Sequence, residues 1–230
     1  MIFQPIATKS QIRRRLHPSF LEELLDYLKY FVVIVLIIGS LYSFVRFFVF
    51  ETIVIEGTSM FPYHQTKDRI YIDLLTPRFS TYRRGDVVVL IPPKNPSPEC
   101  VFPSEDKYFI KRIIGLPGEQ VVFEDGKVLI FNNKLSNQPI VLNETDYIES
   151  TVKTFKTVNP IDDNTEARVE EKTLGENEYY FMGDNRRNSI DSRRCGPIMK
   201  DQIVGKEFYR TMPIERRGFF VLPKYNISEG

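Results

Sequence analysis

The stretch YFVVIVLIIGSLYSFV, Tyr30 to Val45, carries no charge, and FFVF follows directly after Arg46. Together they supply about twenty residues, the length an α-helix needs to cross the hydrocarbon core of a bilayer. A signal-peptide apolar region is shorter, and no Ala-x-Ala-like cleavage site follows, so the segment over residues 30–50 reads as a retained transmembrane helix. Arg46 stands near one end, where its long stem can carry the charge to the headgroups. Lys9, Arg13, Arg14, Arg15 and Lys29 precede the run, and the positive-inside rule therefore puts residues 1–29 in the cytoplasm and everything after Phe50 outside it. Pro18 to Tyr30 reads as an amphipathic helix, with Leu21, Leu24, Leu25 and Leu28 on one face, that lies along the membrane or extends the anchor.

Beyond the anchor the chain changes character. TIVIEG, DRIYIDLL, DVVVLIPP, YFIKRIIG, QVVFEDGKVLIFNN, EYYFMGDN and QIVGKEFYR are short runs of Val, Ile, Phe and Tyr bounded by turn residues. Such runs predict strands, and alanine, the best helix former, occurs only as Ala7 and Ala167. The expected fold is mostly β, an antiparallel sheet or barrel-like domain over residues 51–216. Asp125-Gly126 between VVFE and KVLIF predicts a type I′ hairpin, because that turn needs positive φ at both central residues. The looser, polar stretch from about 139 to 172 reads as a small inserted subdomain without chemistry of its own. The Pro-rich run Pro92–Asp106 reads as a surface loop, and residues 217–230 as a C-terminal tail.

Thirty-one basic and 30 acidic residues leave a net charge of +1, so no global field steers the chain onto nucleic acid. The only histidines are His17 and His64, too few for a His-rich metal site and poorly placed for a His-based triad. Cys100 and Cys195 have no metal-like spacing; they can pair or stay unpaired.

Three polar features stand out against the strands. Ser59 lies in GTSMFP, on a tight turn at the end of TIVIE, where a hydroxyl is well presented. Lys111 lies in KRIIGLPGE among Tyr108, Phe109, Ile110, Ile113 and Ile114. A lysine there either snorkels or is desolvated, and desolvation is what a lysine base requires, since at its ordinary pKa of about 10.4 very little is neutral at pH 7. The third feature, GDNRRNSIDSR from Gly183 to Arg193, is dense in side chains that hydrogen-bond backbone and neighbours. It lacks the ligand order of an EF-hand, so it reads as a scaffold for other groups, not a calcium site. In RGDVVV, Arg84 and Asp86 read as structural ion-pair candidates; an adhesive reading of the RGD is a chance match.

In order, a membrane segment, GTSMFP, RRGDVVV, KRIIGLPGE and GDNRRNSIDSR resemble the successive sequence boxes of type I signal peptidases. The resemblance covers roughly residues 30 to 125 and 175 to 210. It implies a membrane-bound serine endopeptidase of the cytoplasmic (inner) membrane that removes signal peptides from secreted precursors, without a cofactor. Ser59 then matches the nucleophile and Lys111 the general base. Ser189 matches the serine that hydrogen-bonds the lysine. Asp184, Asp191, Arg193 and Arg112 match residues that support the site, with Asp191 and Arg193 paired. Met60, Ile55, Phe109 and Ile190 fall where side chains border the substrate. The resemblance also makes the nucleophile's backbone amide one arm of the oxyanion hole, while Gly57 stands where many members carry a serine hydroxyl as the other. Tyr63 and His64 replace the usual Thr and Leu and, with Ile190, bear on the substrate pockets. The competing readings are another Ser/Lys peptidase, or an anchored β domain that binds exported chains without cleaving them.

Overall fold

The computed structural model describes residues 20–92, 98, 100, 108–132, 138–156 and 169–226. The basic residues at 9 and 13–15, the Arg46 side chain, most of the Pro92–Asp106 loop and residues 157–168 of the expected insert lie outside the described residues. The chain divides into two compact units, residues 1–48 and 49–230.

Among the described residues, the first unit contains one helix, α1, Phe20–Phe48. The two segments read separately from the sequence, 18–30 and 30–50, are thus continuous from Phe20 to Phe48, and the expected membrane helix stops short of Phe50, which begins a strand. Its 29 residues span about 43 Å at 1.5 Å per residue, more than the roughly 30 Å of a hydrocarbon core. Residues Phe20–Val45 form the one helix among the described residues long and apolar enough to cross a membrane, and none of its most apolar stretch is buried by protein. These features support a single-pass membrane protein.

Among the described residues, every strand pairing of the second unit is antiparallel. Its strands are β1 (Phe50–Val54), β2 (Arg69–Asp73), β3 (Val87–Leu90), β4 (Phe109–Gly115), β5 (Gln120–Glu124), β6 (Lys127–Phe131), β7 (Ile140–Val141), β8 (Val169–Glu170), β9 (Glu178–Met182), β10 (Ile198–Met199), β11 (Ile203–Met212) and β12 (Gly218–Phe219). Two single turns of α-helix, α2 (Thr76–Phe79) and α3 (Ser192–Cys195), and two 3-10 turns, Lys200–Gln202 and Ile214–Arg216, interrupt them among the described residues. Each of the seven apolar runs supplies a strand. The larger sheet has the order β1-β2-β11-β3-β4-β9-β10, with β12 added to β11. Register shifts along β11, at Ile203/Gly205, Glu207/Tyr209 and Arg210/Met212, bend the sheet where it meets β2 and β3. The smaller sheet, β7-β6-β5-β8, contains the Asp125-Gly126 hairpin, whose central residues have φ of 51° and 71° as the turn demands. This sheet unites the hairpin with strands near 140 and 170, so the subdomain begins at Gln120 as well as spanning the looser stretch.

Three apolar clusters hold the unit together. One gathers Val88, Leu90, Ile113, Tyr179, Phe181 and their neighbours; a second packs the smaller sheet against Ile114, Tyr180 and Met182; a third joins Ile55, Ile70, Ile72 and Val89. Strands β4 and β9 place alternate residues in different clusters, which is why Ile113 and Ile114, or Phe181 and Tyr180, face opposite ways.

Cys100 and Cys195 form a disulfide with a Cα–Cα separation of 4.7 Å. The bond ties the segment between β3 and β4 to α3, across 95 residues of sequence. Closing so long a loop restricts the unfolded chain, and replacing both cysteines by alanine is expected to cost about 2–5 kcal/mol, read as a lower urea midpoint for the second unit. Unchanged midpoints would show that the bond contributes nothing.

Candidate active site

The turn after β1 carries Ser59. Gly57 begins it with φ of +85°, a conformation that side chains rarely adopt, although a Cβ there would meet open space. Backbone conformation, and not crowding, therefore favours glycine at the position where a second oxyanion hydroxyl was sought. Phe61 N–H then closes the turn on Thr58 C=O at 3.1 Å. Met60 is buried, Ser59 half-buried.

Lys111 enters on β4, held opposite Val88 of β3. It is only 3 % exposed, and its Nζ donates to Ser59 Oγ at 2.7 Å and to Ile110 C=O at 2.9 Å. The Phe109 ring centroid lies 5.9 Å from the same nitrogen. A hydroxyl and an amine, 52 positions apart in sequence, are within proton-transfer reach in a buried setting.

The Gly183–Arg193 loop holds the Ser59 turn. Asn185 donates its backbone N–H to Ser59 C=O at 3.0 Å and its side-chain amide to Thr58 C=O at 3.1 Å, while Asn188 donates to the Thr58 hydroxyl at 3.0 Å. Gly183 is wedged so tightly that a Cβ would stand 2.4 Å from Ser59 O and 2.3 Å from Ser189 Oγ. Asp184 accepts a two-pronged bond from Arg112, Nε at 2.8 Å and Nη2 at 2.7 Å, with both side chains fully buried. Burial alone would push the Arg112 guanidinium down, but Asp184 outweighs it and holds the group charged. Asp191 and Arg193 pair through bonds of 2.9 and 2.8 Å, and Asp191 also accepts from Gly183 N–H at 3.1 Å.

One expected contact is not made. Ser189 Oγ does not bond Lys111; it is buried against the Asp191 carboxylate, close enough to favour its ionised form but without an aligned hydrogen bond. The lysine is instead held by Ser59 and by the carbonyl of its own neighbour, Ile110.

The residues expected beside the substrate divide by burial. Ile55 belongs to the cluster with Ile70, Ile72 and Val89, and Met60 is enclosed, whereas Phe109 and Ile190 are half-buried against the cluster of Val88 and Phe181. Tyr63 and His64 turn into an ionic cluster. His64 lies between Asp68, 3.3 Å from Nδ1, and Glu207, 2.9 Å from Nε2. The Tyr63 ring lies between two guanidiniums, Arg112 at 4.9 Å and Arg210 at 4.8 Å. Arg84 pairs through its two terminal nitrogens with Glu119 at 2.8 and 2.6 Å, and Asp86 accepts from Arg83 N–H at 2.8 Å. Arg84 and Asp86 are each 1 % exposed, which removes this RGD from any adhesive role.

Sequence reasoning overlooked Arg186 and the inserted stretch it engages. Arg186 donates to Glu144 at 2.7 Å and Thr154 at 2.8 Å, Arg193 reaches Phe155 C=O at 3.3 Å, and the Tyr147 ring stacks 4.0 Å from Arg112. The adjacent arginines of DNRRNS were the available signal, since buried guanidiniums require acceptors from elsewhere. No group of three or more metal-ligating side chains occurs among the described residues.

Comparison with known proteins identifies the family. Residues 24–212 match the family described as "Signal peptidase, peptidase S26". Signal peptidase I of Leptolyngbya laminosa is 32 % identical over 174 residues, covering 76 % of this chain and 74 % of that protein. Signal peptidase I S of Bacillus subtilis (strain 168) is 32 % identical over 175 residues, covering 76 % and 82 %. A crystal structure of a signal peptidase I from Enterococcus faecalis V583 aligns with a TM-score of 0.37 at 25 % identity, over 55 % of this chain and 97 % of that one. The chain belongs to the S26 signal peptidase family, and by that membership it is a serine endopeptidase. Membership also implies dealings with secreted precursor proteins and with the membrane.

Asp191 yields a prediction about acid stability. Burial opposes its charge, yet Arg193 and Gly183 N–H hold its carboxyl below the ordinary value. A depressed folded pKa stabilises the fold above the unfolded value of about 3.9, and that contribution disappears as pH falls through the folded value. Asp191→Asn is expected to cost about 3–5 kcal/mol at pH 7 in urea unfolding, with the gap to the parent closing below about pH 4. A gap that stays constant into acid would refute the assignment.

Proposed function

We propose that this protein removes signal peptides from exported precursors, with Ser59 as nucleophile and Lys111 as general base. The observation that carries the reading is the 2.7 Å contact between Lys111 Nζ and Ser59 Oγ in a buried site. Neutral Lys111 takes the Ser59 proton as Oγ attacks the scissile carbonyl. The backbone N–H of Ser59 stabilises the oxyanion, and the proton passes to the leaving amine. The acyl-enzyme on Ser59 is then hydrolysed by a water that the same lysine deprotonates. Asp184, Asp191, Arg193, Arg112 and Ser189 support the site without touching the reacting atoms.

The precursor binds as an extended strand. β1 is an edge strand that leads into the Ser59 turn, and the β4–β9 ladder begins only at Arg112, so an extended chain can lie alongside both elements. Small side chains at −1 and −3 fit shallow apolar walls offered by the half-buried Phe109 and Ile190, while Ile55 and Met60 are enclosed in the fold. The N-terminal segment is cytoplasmic and residues 51–216 extracytoplasmic, together with the 217–230 extension, of which residues 218–226 pack on that domain. The disulfide between Cys100 and Cys195 favours that topology, since such bonds persist in oxidising compartments.

Ser59→Ala and Lys111→Ala should each abolish cleavage of a signal-bearing precursor in detergent while leaving the unfolding free energy within about 1 kcal/mol of the parent. Undiminished cleavage by either variant contradicts the assignment; a folded parent that binds precursors without cleaving them would favour a non-enzymatic role. Because Lys111 acts as the neutral amine, kcat/KM should rise with pH through an apparent pKa below the ordinary lysine value of about 10.4. A profile that falls over that range would exclude a lysine base.

A further inference from the structure

The family match ends at Met212, yet the chain beyond it is bound to the supports of the site. β12 pairs with β11, and Phe220 N–H donates to Phe208 C=O at 3.0 Å. The segment then crosses to the smaller subdomain. Lys224 N–H donates to Asp146 at 2.8 Å, and the Asn226 side chain donates to Val141 C=O at 2.7 Å while accepting from Asn143 N–H at 3.0 Å.

Between those attachments Tyr225 lies on Gly85, where a Cβ would stand 2.8 Å from its ring. Gly85 has φ of +88°, and its C=O accepts from Arg112 Nη1 at 2.8 Å. The Tyr225 hydroxyl meets the Tyr147 hydroxyl at 3.2 Å, and Tyr147 is the ring stacked on Arg112. Two of the groups that enclose the guanidinium are therefore held by one residue of the terminal segment. A cavity of about 400 Å³ beside Arg112, Tyr63 and Arg210 gives the guanidinium room to shift if that hold is lost.

We propose that residues 218–226 form a positioning strap: Tyr225, seated on Gly85 and Tyr147, fixes Arg112, whose fork on Asp184 sets the loop that grips the Ser59 turn. The link from Asp184 to the nucleophile is short, because the next residue, Asn185, holds both the Ser59 and Thr58 carbonyls. Tyr225 is a positioning residue and touches no reacting atom. The proposal rests on the reading of Ser59 and Lys111 given above.

The test compares the full chain, Tyr225→Ala, Tyr225→Phe and a chain ending at Arg217, each in detergent, by cleavage kinetics and by amide hydrogen exchange. Tyr225→Ala and the shortened chain should lose about tenfold or more in kcat with KM within about twofold, because the nucleophile is misplaced while the binding strands remain. Tyr225→Phe should stay close to the parent. A synthetic peptide of residues 218–230 added to the shortened chain should restore kcat. Exchange at the Asn185 amide should accelerate about tenfold, with the β5–β6 hairpin unchanged. Unchanged Asn185 exchange, or equal acceleration at the hairpin, overturns the strap. If the parent cleaves no precursor, the peptidase reading fails while the exchange result still decides the strap.

Discussion

The Arg112 guanidinium and the Asp184 carboxylate are both withdrawn from water, and the geometry of the site follows from how that burial is offset. Removing either partner would strand a charge in the interior, a cost of about 3–5 kcal/mol, so the two must meet wherever else the chain goes. Their meeting fixes β4 against the end of β9. Lys111 precedes Arg112 on the one strand, and Asn185 follows Asp184 on the loop that leaves the other. One ion pair thus sets both the strand that presents the amine and the loop that grips the hydroxyl. The stacking of Arg112 on Tyr147 and Tyr63 extends that constraint to the smaller subdomain and to the turn after Ser59.

The smaller subdomain therefore has a part in the site although it supplies no reacting group. Glu144, Tyr147, Thr154 and Phe155 each meet an arginine from β4 or from the Gly183–Arg193 loop. A loop rich in Asn, Ser and Asp has few apolar contacts with which to hold its shape, and here charged bonds to a neighbouring element do so. His64 performs a similar task on the other flank, joining Asp68 of its own loop to Glu207 of β11.

Much of this was legible in the residues because it rests on local rules. Short Val-, Ile- and aromatic-rich runs became strands, Asp125-Gly126 became the hairpin turn, and the uncharged run after Tyr30 became part of one long helix. Ser59 and Lys111 could be singled out because a hydroxyl on a tight turn and a lysine on an apolar strand are each locally unusual. What could not be read was long-range pairing. Nothing near Arg186 names Glu144, nothing near Arg84 names Glu119, and the closure of Cys100 on Cys195 depends on how α3 packs. The role of Gly183 was hidden for the same reason, since its lack of a side chain matters only once Ser59 and Ser189 lie on either side of it.

The central claim is that Ser59 becomes acylated by the signal-peptide portion of a precursor, and the most direct measurement is the site of that covalent adduct. Rapid acid quenching of the protein with a synthetic precursor, followed by mass spectrometry of the digested chain, should find the signal-peptide fragment esterified to Ser59 and absent from Lys111→Ala. Cleavage that proceeds while the adduct sits on another residue would contradict the account.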